Sequence, residues 1–223
     1  MSVQRNRNIV TSDSIIDDLS GKIENLVYMP GEMISEGDLC KAYDTTRHTV
    51  RGALAVLKEK GLVEVFPQRG TFVSLIDLER INDILFLRTA VEQEVVRRII
   101  EKGDNEKLVR KLRAELEKQK RPKVTEEGFY KLDEVFHSIL FSEVGRPHLP
   151  ELYGDQFLFV RRWRNMEVSS QERLSELPGE HEKIVDAIEK GDLEEARESL
   201  SIHINSAGRY GDEMKKKYPA YFI

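Results

Sequence analysis

The sequence predicts a mainly α-helical fold with one short β-hairpin, divided into two domains. Apolar residues recur at helical spacing along most of the 223 residues, and the β-prone segments are confined to one stretch. Hydrophobic residues make up 39% and charged residues 34% of the chain, with only 7 prolines and 14 glycines. This composition is typical of a soluble, helix-rich globular protein rather than a disordered one.

Three helices come first. The segment TSDSIIDDLSGKIENL (11–26) combines capping residues with apolar residues at helical spacing, which predicts the first helix. A Pro-Gly pair ends this pattern, and Ser35 then offers an N-cap for a second, short helix. A turn at 43–45 leads to a third helix over 46–60, which Gly61 terminates.

A β-hairpin follows the third helix. In LVEVFPQRGTFVSL (62–75), two β-prone runs flank a turn of Pro, Gln, Arg and Gly. Helix, helix, turn, helix, hairpin is the order of a winged helix-turn-helix, in which one helix enters the major groove of DNA and the hairpin tip touches the backbone or minor groove. The sequence therefore predicts a winged helix-turn-helix DNA-binding domain over 1–76.

The second predicted domain, 77–223, is an all-α antiparallel bundle of about six helices. Helical patterns follow one another there with short polar interruptions and without a further strand-like stretch. Their predicted spans are 77–102, 105–120, 125–144, 148–173, 176–190 and 192–216.

Cysteine content and the N-terminal segment indicate the compartment. Cys40 is the only cysteine, which excludes an intramolecular disulfide and a cysteine-based zinc site and favours the reducing cytoplasm. We find neither a signal peptide nor a membrane span in the sequence, so no membrane partner is expected. The net charge of −5 excludes a wholly basic nucleic-acid coat but leaves room for a small basic face.

The start of the third helix carries such a basic face. In TTRHTVRGAL (45–54), Arg47 and Arg51 are four residues apart on one helical face, where either could bond a guanine edge or a phosphate. Thr46 and His48 add hydrogen-bonding groups beside them. The alternative is a capped, solvated helix start with two unpaired arginines, and the sequence of this helix alone leaves both interpretations open.

The surrounding residues resemble the N-terminal domain of the GntR family of bacterial transcription regulators. The matching text is MPGEMISEGDLCKAYDTTRHTVRGALAVLKEKGLVEVFPQRGTFV. The resemblance implies that a set of helix and wing residues faces double-stranded operator DNA: Thr46, Arg47, His48 and Arg51 on the helix, with Gln68, Arg69, Gly70 and Thr71 on the wing. Three positions depart from the family pattern: Gly37 stands where many relatives have a basic residue, Gly52 replaces the usual glutamate, and His48 replaces a threonine or serine.

Four ligand-type side chains lie on apolar stripes of the second domain. Asp133 and His137 are i and i+4 on one stripe, and His181 and His203 lie on two others. Each one alone is more simply a hydrogen-bonded core residue, but four together favour a divalent metal site. Three imidazoles and one carboxylate predict zinc first, with nickel, manganese or iron as alternatives.

The pattern of these residues resembles the FCD ligand-binding domain of the FadR subfamily over about 78–215. The matching elements are Asp133-x-x-x-His137, His181 in HEKIVDAIEKGD, and His203 in the last helix. The chain reads VGRPHL where relatives often read Ser-Gly-Asn-Pro-x-Leu. We interpret His148 in this segment as an exposed residue at a helix start and not as a ligand.

Arg88 interrupts the apolar face of the first helix in this domain. Its simplest interpretation is a salt bridge to Glu92, four residues on. The resemblance implies instead that this arginine faces the effector cavity, where a guanidinium would suit a carboxylate. Arg161, Arg162 and Arg164 are further candidates, although a charged helical face is the simpler interpretation for most of them.

The function that fits all these features is a cytoplasmic, homodimeric, ligand-responsive transcription regulator, expected to be a repressor. Its partners would be a pseudo-palindromic operator and a small organic acid bound at or near the metal. Two alternatives remain: a metal-dependent hydrolase that uses the three histidines and the aspartate, and a regulator for which the metal itself is the signal. No second acid or base accompanies the ligands, so no catalytic residue is assigned.

Overall fold

The computed structural model describes residues 11–121, 126–153, 156–167, 171–206 and 211–223. The chain divides into two compact units. The first comprises the described residues up to Ile76 together with Tyr218–Ile223, and the second comprises those of Asp77–Lys217. The predicted fold class is confirmed: the chain is mainly helical, with one small antiparallel sheet in its first unit.

Three helices build the first unit: α1 (Ser12–Glu24), α2 (Glu36–Ala42) and α3 (Arg47–Glu59). Each begins where the sequence provides a capping hydroxyl, because Thr11, Ser35 and Thr46 accept hydrogen bonds from backbone N–H groups three residues on. Helices α1 and α3 pack together through apolar side chains that are at most 8% exposed: Ile15, Ile16, Leu19, Ile23, Val50, Ala53, Leu54 and Leu57.

The sheet has three strands, β1 (Met33–Ile34), β2 (Val63–Phe66) and β3 (Gly70–Val73), in the antiparallel order β1-β3-β2. The hairpin β2-β3 was predicted, whereas β1 was not, since two residues are too few to show an alternating pattern. Val63 pairs with Val73 and Phe66 with Gly70, which places the turn at 67–69. Gly70 has φ +117°, a backbone conformation that L side chains rarely adopt.

The last residues of the chain pack within the first unit. The backbone N–H of Ile76 donates to the carbonyl of Tyr221 at 2.8 Å, and that of Ile223 donates to the carbonyl of Ile76 at 3.2 Å. Phe222 between them is 6% exposed. The sequence-based division placed these residues in the second domain. The structure places them in the first unit, so the predicted domain boundary is corrected for this segment. No periodic pattern marks the segment, and long-range pairing decides its place.

The second unit is built from helices around one apolar core. They are α4 (Leu78–Lys102), α5 (Glu106–Gln119), α6 (Glu126–Glu143), a 3-10 segment (Leu149–Tyr153), α7 (Gln156–Glu167), α8 (Gln171–Lys190), α9 (Leu193–Asn205) and α10 (Gly211–Lys217). Helix α4 packs against α6, α7 and α9, while α8 packs against α5 and α9. Trp163, Phe136 and Leu85 are among the fully buried side chains.

Three predicted helix spans need correction. The span 148–173 corresponds to the 3-10 segment, α7 and the start of α8, while 192–216 corresponds to α9 and α10. Helix α8 begins at Gln171 rather than 176 and continues through Pro178. A proline removes one backbone donor, but burial of Leu177 and His181 on either side favours continuation of the helix. In the described segments, no helix has the length and apolarity needed to cross a membrane.

Candidate metal centre and DNA-reading surface

The fold brings together the four side chains that the sequence singled out in the second unit. Asp133 and His137 lie one turn apart on α6, His181 lies on α8, and His203 on α9. All four are buried, with exposed fractions of 0–4%. Each offers one ligand atom, and these atoms lie within 4.8 Å of one another. The i, i+4 spacing and the apolar stripes therefore indicated a real convergence.

The converging atoms are the three Nε2 nitrogens and one carboxylate oxygen. Nε2 of His203 lies 3.2 Å from Nε2 of His137 and 3.1 Å from Nε2 of His181. Oδ1 of Asp133 lies 3.2 Å from Nε2 of His181 and 3.7 Å from Nε2 of each of the other two histidines. The four atoms thus surround one small volume.

Each imidazole has its Nδ1 directed away from the cluster toward a side-chain oxygen. The pairs are His137 with Glu92 Oε2 at 2.6 Å, His181 with Gln119 Oε1 at 2.8 Å, and His203 with Glu180 Oε2 at 3.0 Å. Because a carboxylate or amide oxygen can only accept, the proton of each neutral ring lies on Nδ1. All three Nε2 atoms then present a lone pair to the cluster.

Gln119 is oriented by a second bond. Its Nε2 donates to the carbonyl of Leu132 at 3.3 Å, which directs Oε1 toward His181. Gln119 is 4% exposed on α5, so the amide is held inside the protein. Outer hydrogen bonds of this kind fix the tautomer and ring direction of metal-binding histidines.

Asp133 provides the test of whether a cation fits. Its Oδ2 accepts a hydrogen bond from Nη1 of Arg164 at 3.0 Å. Its buried Oδ1 has no hydrogen-bond partner in the part of the chain that the structure describes. Because the adjacent Nε2 atoms are acceptors too, the cluster holds four acceptors and no donor. A buried unsatisfied acceptor costs about 1–3 kcal/mol, and a divalent cation would satisfy all four. The residues present are therefore compatible with a metal ion.

The protonation states suit a metal as well. Burial, with help from nearby His181, lowers the pKa of His203 to about 3, and burial also lowers the pKa of His181. Burial alone would raise the pKa of Asp133, but the guanidinium of Arg164 and the neighbouring histidines hold it well below 3.8. At neutral pH, Asp133 is thus ionised and His181 and His203 are neutral, as ligation requires.

A cavity of about 390 Å³ lies beside the cluster and is lined by Asp133 and His137 from it. Arg88 and Arg164 also line this cavity, and the resemblance implied such a place for Arg88. Contact of Arg88 with an effector stays a prediction. The predicted salt bridge between Arg88 and Glu92 is present, with Nε 2.5 Å from Oε1 and side chains only 4% and 2% exposed. Burial alone would raise the pKa of Glu92, but Arg88 and His137 lower it to about 2.

The three arginines of α7 do not form a charged surface. Arg162 and Arg164 are 1% and 7% exposed, so the interpretation of a solvated helical face is wrong for both. Arg161 and Arg164 line the cavity, and Arg161 also pairs with Glu134 at 3.3 Å. The surrounding helices bury this face of α7, which its own sequence does not reveal.

Sequence reasoning missed the outer partners of the histidines. Glu92 was considered only as a partner of Arg88, and Gln119 and Glu180 were not considered. Gln119 follows Leu112 and Leu116 on the buried face of α5, so a polar residue on that stripe was an available signal. No comparable pattern in the sequence marked Glu180, because it lies next to His181 and outside the apolar stripe of its helix.

The predicted DNA-reading residues of α3 are exposed. Thr46 caps the helix, Arg47 and His48 form its first turn, and Arg51 follows in the second. Nε of Arg51 contacts both carboxylate oxygens of Glu36, at 3.1 and 3.0 Å. The alternative of two unpaired arginines is therefore wrong for Arg51.

The wing residues are exposed with one exception. Gln68, Arg69 and Gly70 lie at the surface of the hairpin tip, and the guanidinium of Arg69 lies 5.5 Å from the ring centroid of Phe66. Thr71 is only 6% exposed in β3, opposite Val65. Its implied place on the DNA-facing surface is therefore corrected, because strand alternation directs it inward.

A winged helix-turn-helix followed by a helical unit whose cavity is lined in part by arginines and carboxylates is the architecture of a class of bacterial transcription regulators. Comparison with known families gives the family directly. The family model described as bacterial regulatory proteins, gntR family, matches residues 11–73, and the FCD domain model matches 83–206. The chain belongs to the GntR family and carries an FCD domain, as the resemblance implied.

Individual relatives agree with this assignment. An HTH-type transcriptional regulator in unstable DNA locus of Streptomyces ambofaciens is 32% identical over 177 residues, which cover 79% of this chain and 75% of that protein. The HTH-type transcriptional repressor RspR of Escherichia coli (strain K12) is 24% identical over 203 residues, 90% of this chain and 88% of that protein. A crystal structure of a transcriptional regulator GntR from Rhodococcus sp. RHA1 superposes with a TM-score of 0.68 and 26% identity, covering 88% of this chain and 94% of that one.

These findings establish the general function. The chain is a DNA-binding transcription regulator of the GntR and FCD type. The family and these relatives are regulators rather than enzymes, so the hydrolase alternative is set aside.

Proposed function

We propose that this protein is a metal-containing repressor that binds a pseudo-palindromic operator as a homodimer and responds to a small carboxylate effector bound at or near the metal. The observation that carries the proposal is the buried cluster in which three Nε2 atoms and Oδ1 of Asp133 meet, without a donor among the described residues, beside a cavity of about 390 Å³. We place the protein in the cytoplasm, where operator DNA is found.

His137, His181, His203 and Asp133 would hold the metal. Three neutral imidazoles and one carboxylate favour zinc, with nickel, manganese or iron as alternatives. A bound ion of this kind supplies positive charge and open coordination positions for an anionic oxygen. The chain supports it through Glu92, Gln119 and Glu180, which hold the rings in place.

The charges around the cavity explain why a carboxylate effector would need the metal. Arg88 pairs with Glu92, Arg164 with Asp133 and Arg161 with Glu134. Each cavity arginine is thus already matched by a carboxylate of the protein, so these pairs alone leave little net positive charge. A divalent cation at the cluster would provide it, and Arg88 and Arg164 would then orient the bound anion.

DNA recognition is assigned to the exposed start of α3 and to the wing. Thr46, Arg47, His48 and Arg51 would contact operator bases and phosphates, with Gln68, Arg69 and Gly70 at the hairpin tip. Repression is supported by the E. coli relative RspR, which is named a transcriptional repressor.

The dimer is supported by apolar side chains on two adjacent helices. Phe86 on α4 is 76% exposed and Ile202 on α9 is 46% exposed. The two helices are joined near these positions, where Asn205 Nδ2 donates to Oγ1 of Thr89 at 3.3 Å. Exposed apolar surface of this kind favours self-association. A two-fold symmetric dimer recognises a pseudo-palindromic operator. Control by an effector requires that the effector bind with different affinities to two arrangements of the dimer.

The decisive experiment measures metal in the protein as isolated. Purification without chelator, followed by elemental analysis, is expected to give close to one transition-metal ion per chain. His203→Ala should lose it, whereas His148→Ala serves as the matched control, because His148 is an exposed histidine with its side chain 82% accessible. Equal metal content in both variants would overturn the assignment of the site.

The effector and the metal-sensor alternative are separated by thermal stabilisation with a panel of carboxylates. Carboxylates are expected to raise the Tm of the metal-loaded protein and to have no effect on the metal-free protein or on His181→Ala. A metal sensor would instead bind its operator differently with and without metal, and carboxylates would have no influence on that binding.

DNA binding is tested by titration at several salt concentrations. The affinity for DNA should fall with rising salt, and a flat response would count against phosphate contacts.

A further inference from the structure

Arg51, one of the proposed DNA-reading residues, is held by a carboxylate from the preceding helix. Its Nε lies 3.1 Å from Oε1 and 3.0 Å from Oε2 of Glu36, so one N–H is shared between both oxygens. Glu36 is the first residue of α2, and Arg51 lies in the second turn of α3. The contact therefore joins the two helices of the helix-turn-helix at its exposed side.

This contact engages the Nε side of the guanidinium. The group carries five N–H donors in one rigid plane. When Nε–H is directed toward Glu36, the two Nη groups form an edge at the end of the side chain. That edge has the fork geometry that binds O6 and N7 of guanine or two phosphate oxygens. Glu36 thus sets the direction of the guanidinium plane and leaves the forked edge of the two Nη groups to other acceptors.

Fold stability is a weak explanation for the pair. The side chains of Arg51 and Glu36 are 64% and 34% exposed, and exposed ion pairs contribute only about 0–1 kcal/mol. A negative charge in the first turn of α2 also favours the helix dipole, but Asp38 supplies such a charge in the same turn. On affinity alone, a carboxylate beside a DNA-reading helix is unfavourable, because it repels phosphates.

We propose that Glu36 is a positioning residue for operator recognition, which holds the Arg51 guanidinium in the direction that suits one base edge and weakens its attraction for phosphates. The inference rests on the proposed contact of Arg51 with DNA. Glu36 then acts on the discrimination between operator and unrelated DNA rather than on DNA affinity in general. Its loss weakens operator binding and leaves binding to unrelated DNA unchanged or stronger.

The test compares Glu36→Gln with Asp38→Asn, since each removes one negative charge from the first turn of α2. Asp38 is the matched control because it contacts Lys41 at 3.5 Å, with side chains 75% and 84% exposed, and not Arg51. The full-length protein is titrated with an operator selected from random duplexes and with an unrelated duplex of equal length. Glu36→Gln is expected to lower the ratio of the two affinities by about tenfold, the discrimination of one base contact, and Asp38→Asn to leave it unchanged.

A third variant distinguishes failure of this inference from failure of the proposed DNA contact. Arg51→Ala is expected to weaken operator binding. If it does not, Arg51 makes no operator contact and both ideas are overturned. If Arg51→Ala weakens operator binding but Glu36→Gln discriminates as well as Asp38→Asn, only the role of Glu36 is overturned. Equal Tm values for all three variants and the native protein are expected and show that folding does not account for the result.

Discussion

Oε1 of Gln119 lies 2.8 Å from Nδ1 of His181, and this contact sets which ring nitrogen of the histidine faces the cluster. The amide itself is held by the carbonyl of Leu132. The direction of the His181 ring, and with it one quarter of the candidate metal site, therefore depends on a residue of another helix that ligates nothing.

Replacement of Gln119 by Met should weaken metal binding. The two side chains are similar in size, so packing is retained while the hydrogen bond to His181 is lost. Outer partners of metal-ligating histidines contribute about 10–100-fold to metal affinity, and we expect a loss in that range in a competition titration of zinc against a chromophoric chelator. Glu117→Gln, at an exposed position of α5, is the control. Equal zinc affinity in both variants would show that Gln119 has no such role.

The metal-free protein should lose stability as the pH falls below about 6.5. Burial lowers the pKa of His203 to about 3 in the folded protein, whereas an unfolded histidine titrates near 6.5. Below pH 6.5 the unfolded chain therefore binds a proton that the folded chain does not, and the free energy of unfolding decreases toward acid pH. The stabilising contribution is fully present above pH 6.5. The lowered pKa of His181 acts in the same direction.

Urea unfolding of the chelator-treated protein between pH 7.5 and pH 4.5 measures this effect. The lowered pKa values of Glu92 and Asp133 act in the same direction, but mainly below about 4.5, so the lowered pKa values of His203 and His181 account for the change over most of this range. His203→Gln should flatten the pH dependence, while the exposed His148→Ala should leave it unchanged. A native protein whose urea midpoint is constant across this range would contradict the prediction.

Gly52→Ala should stabilise the first unit. Gly52 lies within α3, and a Cβ built there meets Ser12 Oγ at 3.6 Å, an ordinary van der Waals contact. Alanine in a helix interior is more stable than glycine by about 0.5–1 kcal/mol. Chemical denaturation is expected to show a gain of that size.

Gly70→Ala provides the opposite case. The φ of +117° at Gly70 is strained for any other residue, and we expect a loss of about 1–3 kcal/mol. If both glycine variants changed stability in the same direction, backbone conformation would not be the cause.

Phe222→Ala should destabilise the first unit. Phe222 is 6% exposed and lies between the two backbone hydrogen bonds that join the end of the chain to Ile76. Truncation of a buried phenylalanine costs about 3–5 kcal/mol. Ile223→Ala is the control, because Ile223 is 66% exposed. Denaturation followed by amide hydrogen exchange in α1 and α3 would assign the loss to this unit, and unchanged exchange there would contradict the prediction.

Local patterns in the sequence were sufficient for most of the fold. Apolar spacing and the Ser35 cap predicted the helices of the first unit, because caps and amphipathic faces depend on residues close in sequence. The structure adds Thr11 and Thr46 as the caps of the other two helices. The patterns were least informative over 148–190, where α8 begins at Gln171 rather than at 176 and runs through Pro178.

The candidate metal site shows the same division between what local sequence patterns determine and what tertiary packing decides. The sequence by itself determined that Asp133, His137, His181 and His203 each occupy a buried helical stripe, since periodicity states which face of a helix is apolar. Only the tertiary structure decided that these stripes meet, that Glu92, Gln119 and Glu180 hold the rings, and that Phe222 packs beside Ile76. These contacts join residues far apart in the chain. Their partners are selected by packing of whole helices and by the need to satisfy buried polar groups, and neither leaves a periodic trace in the sequence.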